Sequence, residues 1–263
     1  MESYPYWSKQ TTDKPLFPDI EWSKPEQRNR AGHLGIIGGN KLSFVSVAEA
    51  YITAQKSAVG ETRVLLPDAL RQLIPATISG TVFAASTPAG SLARQALADM
   101  RALAKWADGI LLIGDASKSS ETTIVYEDFA RSYNGPLIIT RDAVDLLKNA
   151  SQILVERSET LLVVSFAQLQ KLFRGIYYPK ILTFSMQLTR LVEALHKFTI
   201  TYPITIAVFH EGTLLVANSG KVATSPWSNA MAIWRGQTAT KAAVYWLWNP
   251  SKPLESVTAS LLY

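Results

Sequence analysis

The sequence predicts an α/β fold: a mostly parallel central sheet with helices on both faces and a C-terminal antiparallel hairpin. Three observations lead to this prediction. Residues 30–67 read as strand, glycine turn, helix and strand, the order of a βαβ unit with parallel strands. Residues 110–113 form an unbroken apolar run, typical of a strand buried on both faces. Residues 204–218 hold two apolar runs around a His-Glu-Gly turn, which predicts the hairpin.

The first 29 residues are interrupted by prolines, which resist both helix and central strand. We predict that residues 1–29 form an extended arm anchored by Trp7, Phe17 and Trp22. The arm would pack on a single domain of residues 30–263 or cover a partner subunit, and both alternatives stay open.

The elements after the first βαβ unit largely alternate between strand and helix. Leu92, Ala96, Met100 and Leu103 recur at helical spacing, which predicts a helix over 91–107 with Ser91 as its cap. The other predicted helices cover 121–133, 143–147, 166–173, 186–198 and 256–263, and residues 226–236 lead into a further helix that runs on towards Trp248. The predicted strands cover 81–85, 110–113, 137–140, 161–164, 204–209, 214–218 and 221–223.

The composition excludes several classes of function. The chain has 263 residues, 48% hydrophobic and 18% charged, which suits one sizeable domain. No apolar run reaches the roughly 20 residues of a membrane span, and no signal pattern is visible at the N-terminus, so we expect a cytoplasmic protein. Without cysteine, disulfides and thiolate chemistry are excluded, and the three separated histidines do not predict a metal site. The net charge of +5 comes from scattered residues, so we do not expect nucleic-acid binding.

Glycine turns follow two of the predicted parallel strands. Gly38-Gly39-Asn40 ends the first strand, and a small, polar loop from Gly114 to Thr122 follows the run at 110–113. Asp142 comes just after the strand at 137–140. Carboxyl ends of parallel strands share one edge, where free amides and helix N-termini favour an anionic ligand. The alternative interpretation is a set of ordinary capped βα loops.

The segments GHLGIIGGN, ADGILLIGDASKSSET, PLIITRDAVDLL and ESVTASLLY occur in this order along the chain. In order and spacing they resemble the ATP/ADP-dependent NAD(P)H-hydrate dehydratase family of the ribokinase-like superfamily, which is related to carbohydrate kinases. The resemblance implies a ribokinase-like three-layer sandwich. It also implies a lyase that uses ATP or ADP with Mg²⁺ to dehydrate hydrated NAD(P)H, so an NAD(P)H-related ligand is a second candidate.

The sequence departs from this family where catalysis is expected. The family's base is the aspartate of a Gly-x-Gly-Asp motif at a helix N-terminus. Here the segment reads Asn229-Ala230-Met231-Ala232, with Gly236 matching a later glycine, and no Asp or Glu lies between Gly212 and Glu255. The family's His-Pro-Gly-Glu falls on residues 165–168, and its Lys-Gly falls near residues 210–212.

We therefore predict a nucleotide or substrate site without an assigned catalytic residue or metal ligand. Its residues would be Gly38, Gly39, Asn40, Gly114, Asp115, Ser117, Lys118, Asp142, Asn229 and Gly236.

Three functions follow from these residues. We favour a degenerate homologue, or pseudoenzyme, that keeps a nucleotide or dinucleotide pocket and has lost the base. The second is an active dehydratase whose base is Asp142, Asp115 or Glu211. The third is a structural or interaction module. We expect a homo-oligomer, and four tryptophans could then fill the former pocket or form an interface: Trp227, Trp234, Trp246 and Trp248.

Overall fold

A computed structural model of the chain describes residues 4–74 and 78–262. Its strands are β1 (Trp7–Lys9), β2 (His33–Gly38), β3 (Glu61–Pro67), β4 (Thr81–Ala84), β5 (Gly109–Gly114), β6 (Leu137–Thr140), β7 (Thr160–Ser165), β8 (Thr205–His210), β9 (Thr213–Asn218) and β10 (Lys221–Pro226). Its α-helices are α1 (Asp19–Trp22), α2 (Val45–Lys56), α3 (Leu97–Trp106), α4 (Ser120–Ser132), α5 (Asp142–Leu146), α6 (Ser151–Glu156), α7 (Phe166–Gly175), α8 (Leu188–Thr201), α9 (Ala230–Trp234), α10 (Gln237–Trp248) and α11 (Pro253–Ala259). Short 3₁₀ turns lie at Arg28–Arg30, Asp68–Leu70, Arg94–Ala96 and Leu147–Ala150.

All these strands belong to one sheet with the order β1-β10-β9-β8-β7-β6-β5-β2-β3-β4. The strands from β4 across to β8 run parallel, β9 runs antiparallel to both of its neighbours, and β1 joins β10 in parallel. The α/β fold with its C-terminal antiparallel hairpin is therefore confirmed.

The sheet separates two apolar cores because successive side chains of a strand point to opposite faces. On β5, Ile110 and Leu112 enter one core, and Leu111 and Ile113 enter the other. Helices α2, α10 and α11 cover the second core, and α3, α4, α7 and α8 cover the first. The molecule thus has three layers, and β5 is buried on both faces, as its unbroken apolar run predicted.

The helix predicted over 91–107 is wrong in its first turn and a half. The helix begins at Leu97, and the chain before it folds back, with the Ala93 amide donating to the Ala85 carbonyl at 2.9 Å. Ser91 is fully buried, and its hydroxyl lies 2.5 Å from the Ser117 hydroxyl, so it does not cap the helix. The loop contacts override the local helix signal.

The C-terminal helices also differ from the prediction. Gly236 adopts a left-handed φ of 82° and separates α10, the predicted helix that runs towards Trp248, from the short helix α9, which was not predicted. Helix α11 begins at Pro253, a favoured first helical position, rather than near Ser256. Helix α6 was not predicted. None of the helices in the described part of the chain is long and apolar enough to cross a bilayer.

The N-terminal segment contributes the edge strand β1 to the sheet and forms the short helix α1. Gln10 fixes it in place. This side chain is fully buried, donates to the Thr258 carbonyl at 2.8 Å and to Ser225 Oγ at 3.2 Å, and accepts from the Leu16 amide at 3.2 Å. The arm is thereby tied to both β10 and α11.

We predict that Gln10→Ala lowers the free energy of unfolding by about 1–3 kcal/mol, because it leaves buried polar groups without partners. Urea denaturation of the purified chain measures the change. The exposed neighbour provides a control, since Ser8→Ala should change stability by less than about 0.5 kcal/mol. Equal stability of the two variants would contradict the assigned role of Gln10.

Candidate functional site

The carboxyl ends of β2, β5, β6 and β7 form one edge of the sheet, which we call the rim. The predicted glycine turns meet there. Gly38 is in register with Gly114, and the Gly39 amide donates to the Gly114 carbonyl at 2.8 Å. The Asn40 side-chain amide donates to the Asp115 carbonyl. The two loops are therefore joined by hydrogen bonds to the backbone carbonyls of Gly114 and Asp115.

The Asp142 side chain is hydrogen-bonded to two backbone amides of the loop after β5. Its carboxylate accepts from the Asp115 amide at 2.8 Å and from the Ala116 amide at 3.0 Å. Gly114 has φ 93°, and a side chain there would collide with this carboxylate. Free amides at this loop were the reason to predict an anion site, and an internal anion already holds two of them.

The Asp115 carboxylate is the second centre of the rim. One oxygen accepts from Arg141 Nη2 at 2.7 Å, and the other accepts from the Ser46 amide at 2.9 Å and from the Ser43 hydroxyl at 3.3 Å. Only a tenth of this side chain is exposed. These donors come from the loop after β6, from the loop after β2 and from the start of α2, so Asp115 joins three segments.

Arg141 extends this network to the C-terminal helices. It has φ 57° and also donates to the Trp234 carbonyl at the end of α9. A side chain at Gly236 would collide with Ile113 and would lie 3.4 Å from Arg141 Cδ. Sequence reasoning missed Arg141, although a cation directly after a parallel strand is a usable signal for a rim residue.

Two titratable groups near the rim have shifted pKa values. Burial, followed by the charges of Asp142 and Asp115, raises the pKa of the Tyr126 phenol far above its ordinary value of 10.0, so it stays neutral. Burial acts to raise the pKa of Asp145, but hydrogen bonds from Lys171 and Gln168, with the charge of Lys118, lower it overall.

The remaining predicted site residues are spread more widely. Ser117 bonds Ser91, Lys118 is solvent-exposed, and Asn229 caps α9 by accepting from the Ala232 amide at 3.1 Å. The rim thus unites Gly38, Gly39, Asn40, Gly114, Asp115 and Asp142, and Gly236 lies beside it.

The positions that match the family's other motifs have structural contacts here. Ser165 and Gln168 form a capping box at the start of α7, and Gln168 also donates to the Arg141 carbonyl at 2.7 Å. His210 is buried, with Nε2 2.8 Å from the Met186 carbonyl. Glu211 is exposed at the hairpin turn, 3.9 Å from His210.

A groove of about 610 Å³ runs along the outer side of α10. Its lining combines aromatic, hydroxyl, amide and charged side chains: Glu21, Lys24, Thr53, Lys56, Ser57, Trp227, Asn229, Ala232, Gln237, Thr238, Lys241, Tyr245, Trp248 and Ser260. Helix α10 starts beside Arg141 at the rim, and Leu247 near its end packs beside Gly32 and Gly109, which lie at the opposite sheet edge. The groove therefore has a rim end and a far end about 16 Å apart, given 1.5 Å per helical residue.

The rim end of the groove contains a buried polar group without a hydrogen-bond partner among the described residues. Thr238, in the first turn of α10, is 5% exposed, and its hydroxyl has no partner in the part of the chain that the structure describes. The first turn of α10 carries no acidic residue. Free amides and the helix dipole make such an N-terminus favourable for an anion.

Glu49 is a carboxylate that sequence reasoning missed. It lies on α2 one turn before Thr53, which lines the groove, and so shares that helix face. Its Oε1 lies 3.6 Å from Arg235, the residue before Gly236. Its Oε2 is buried and has no hydrogen-bond partner among the described residues.

The four C-terminal tryptophans do not share one pocket. Trp246 is buried in the core, Trp227 and Trp248 line the groove, and Trp234 borders a separate apolar cavity of about 200 Å³ with Phe184. Trp246 therefore belongs to the core, and the other three side chains line two different cavities.

No known family model matches this sequence, and no curated protein matches it. Solved structures do match its fold. A ribokinase-like superfamily protein from Enterococcus faecalis V583 is 13% identical with a TM-score of 0.74, over 100% of this chain and 87% of that chain. A hypothetical protein from Streptococcus mutans is 14% identical with a TM-score of 0.72, over 92% and 85%.

A third solved structure is the ADP/ATP-dependent NAD(P)H-hydrate dehydratase from Bacillus subtilis, co-crystallised with ATP and Mg²⁺. It is 12% identical with a TM-score of 0.61, over 94% of this chain and 86% of that chain. The chain therefore has a ribokinase-like fold, in agreement with the resemblance seen in the sequence.

We predict that Arg141→Met lowers the free energy of unfolding by about 3–5 kcal/mol, because it leaves the largely buried Asp115 carboxylate without its counter-charge. Urea denaturation measures this loss. Arg174→Met, on the exposed face of α7, is the control and should stay within about 0.5 kcal/mol of the parent. A loss for Arg141→Met as small as that of the control would refute the network.

The lowered pKa of Asp145 predicts a pH dependence of stability. An ionised carboxylate with a folded-state pKa below its ordinary value of 3.8 stabilises the protein above that pH. This contribution disappears as the pH falls below 3.8 through the folded-state pKa. Melting curves should therefore show Asp145→Asn less stable than the parent at pH 7, with the gap closing below pH 3.8. The exposed control Asp13→Asn should show no gap, and a gap for Asp145→Asn that persists in acid would be inconsistent with this assignment.

Proposed function

We propose that this protein is a nucleotide-binding protein that does not transfer phosphoryl groups, a degenerate relative of the NAD(P)H-hydrate dehydratases. The nucleotide would bind at the rim end of the groove, with its phosphates at the N-terminus of α10. In this role the protein would act as a sensor, a regulator or a partner-binding subunit.

The observation that carries the proposal is the buried, unpartnered hydroxyl of Thr238 at the first turn of α10. A buried hydroxyl without a partner costs about 1–3 kcal/mol, so a ligand oxygen that bonds it would be favoured. Gln237 and Trp227, which line the same end, supply an amide and an aromatic face. A solved structure with the same fold was co-crystallised with ATP and Mg²⁺, which further supports a nucleotide.

The absence of phosphoryl transfer is proposed from the rim carboxylates. The family's base position is Ala232, and no Asp or Glu lies between Gly212 and Glu255. Asp142 is held by two amides and Asp115 by Arg141, so neither is free to accept a proton from a ligand. Glu211 lies at an exposed hairpin turn beside His210.

The same carboxylates do not fit Mg²⁺. This ion prefers carboxylate oxygens in regular octahedral geometry, and here it would have to displace Arg141 from Asp115 or the amides from Asp142. We therefore propose that the nucleotide binds without a protein-held metal ion.

One observation favours a second candidate function, an active dehydratase with a different base. The buried Oε2 of Glu49 has no partner among the described residues, and its Oε1 lies 3.6 Å from Arg235, two residues before α10 begins at Gln237. A carboxylate at that position could accept the proton of a ligand hydroxyl. This candidate requires turnover, whereas the favoured one requires binding alone.

Cytoplasmic location and homo-oligomerisation remain our predictions. Self-association is supported by exposed apolar side chains in the loop after β2 and on α9. Leu42 is 85% exposed, Met231 55% and Trp234 52%.

Thermal shift assays with ATP, ADP, AMP and NAD(P)H test the proposal, with and without Mg²⁺. We expect at least one of them to raise the melting temperature, since a ligand at about 100 times its Kd adds about 2.7 kcal/mol of stability. Thr238→Val should weaken that ligand by about tenfold, the equivalent of about 1.4 kcal/mol. Thr258→Val, which also removes a buried unpartnered hydroxyl but lies outside the groove, should bind normally.

Phosphate release with ATP or ADP and hydrated NADH separates the candidates. We expect no release above background. Release that is lost in Glu49→Gln would reject the favoured function and establish the second one. No shift with any nucleotide, together with a stable oligomer by light scattering, would instead favour the interaction module.

A further inference from the structure

The loop between α7 and α8, residues 176–187, presents three large apolar side chains to solvent. Tyr177 is 92% exposed, Ile181 is 81% exposed and Phe184 is 65% exposed. An extended chain spans at most about 3.6 Å per residue, so their Cα atoms lie within roughly 25 Å of one another. Apolar surface that is concentrated in this way marks an interaction site more often than isolated exposed side chains do.

The loop is anchored on the two helices beneath it. The Tyr178 ring packs on Phe173 of α7 and on Phe198 of α8, in each case with the ring centroids 4.9 Å apart. Leu182 is buried, and its carbonyl accepts a hydrogen bond from the Gln170 side chain of α7 at 2.7 Å. The inner side of the loop therefore faces α7 and α8, and the exposed apolar side chains lie on its outer side.

Tyr177 has a backbone conformation that favours glycine. Its φ is 56°, in the left-handed region, and it follows the C-cap of α7, where glycine is the usual residue. The Tyr177 amide donates to the Arg174 carbonyl at 3.1 Å. The next amide donates to the Phe173 carbonyl at 2.8 Å, which completes a Schellman motif. Glycine would form this motif without strain, so the local structure does not require the exposed ring, and strained residues of this kind concentrate at functional sites.

The unpaired charges of this region are positive. Residues 160–192 contain four basic residues and no Asp or Glu. Two of the basic side chains, Lys171 and Arg190, form ion pairs with carboxylates outside this stretch. The other two, Arg174 and Lys180, are exposed and form no ion pair in the part of the chain that the structure describes. Each of these two lies within three residues of an exposed apolar side chain, so positive charge and apolar surface occur together.

We infer that this loop binds the surface of an anionic lipid bilayer without crossing it. Tyr177, Ile181 and Phe184 would enter the boundary between headgroups and acyl chains. Arg174 and Lys180 would contact the lipid phosphates. Aromatic and aliphatic side chains combined with basic ones suit this boundary, which offers both apolar surface and negative charge. The loop shares no residue with the groove along α10, so the inference is independent of the proposed nucleotide site.

Two other occupants are less compatible with the chemistry of the loop. A second copy of the same face would bring like charges together across a two-fold axis, where they repel each other. A nucleic-acid backbone would pair with the two cations but would offer no apolar surface to Ile181. A bilayer surface satisfies both kinds of side chain.

Co-sedimentation of the full chain with lipid vesicles tests the inference. We expect binding to vesicles of phosphatidylcholine mixed with phosphatidylglycerol to be at least about tenfold tighter than binding to phosphatidylcholine alone. Added salt should weaken this binding, because it screens the attraction between exposed charges. No binding to the mixed vesicles, or equal binding to both kinds, would overturn the inference.

Tyr177→Gly separates binding from stability. The variant removes the ring and relieves the backbone, so its melting temperature should equal or exceed that of the parent. Its affinity for the mixed vesicles should nevertheless fall by about tenfold or more, and Ile181→Ser should weaken binding in the same way. Ile52→Ser is the control, since it alters an exposed side chain of α2 on the other face of the sheet and should bind like the parent.

The double variant Arg174→Gln/Lys180→Gln tests the contribution of charge. We expect it to lose about tenfold in affinity for the mixed vesicles. Lys14→Gln/Lys252→Gln carries the same charge change on exposed residues outside this loop and should bind like the parent. Parent-like binding of either Tyr177→Gly or the Arg174→Gln/Lys180→Gln variant would overturn the assignment to this loop.

Discussion

The hydrogen bonds from two loop amides to the Asp142 carboxylate are the interaction on which the rim depends. Gly114 must adopt a positive φ and carry no side chain so that this carboxylate can approach the loop. In a parallel sheet such loops share one edge, and their free amides favour an anion. Here the chain supplies the anion itself, and the Asp142 carboxylate holds two amides of a loop of small, polar residues.

An internal carboxylate at that position imposes a second constraint, because burying negative charge is costly unless it is paired. The Asp115 carboxylate lies close to Asp142, is only 10% exposed and is paired with Arg141. The same arginine also donates a hydrogen bond to the end of α9. The residue that compensates the charge of Asp115 therefore also links the sheet edge to the C-terminal helices. Beneath them, the Tyr126 phenol stays neutral because burial and both carboxylates disfavour its ionisation.

The sequence was sufficient to predict the strands β2 to β10, since apolar runs and glycine turns are local signals of strands and their ends, but it did not predict the edge strand β1. It was insufficient where distant residues decide the conformation. The first turn of the helix predicted from Ser91 is lost to contacts with the loop at Ser117. The site was predicted in part: the glycine turns and Asp142 do meet, but Arg141 and Glu49 act through contacts that no local pattern encodes.

The contrast between the rim and the groove explains why binding is assigned to α10. At the rim the carboxylates of Asp142 and Asp115 already have partners, so a ligand that binds the same groups would have to break existing pairs before forming its own. Along α10 the hydroxyl of Thr238 lacks a hydrogen-bond partner among the described residues, and Lys241 is partly desolvated and forms no ion pair with them. A ligand in the groove gains these interactions at little cost to existing contacts. The proposed loss of the catalytic carboxylate and the proposed binding of a ligand are therefore compatible within one fold.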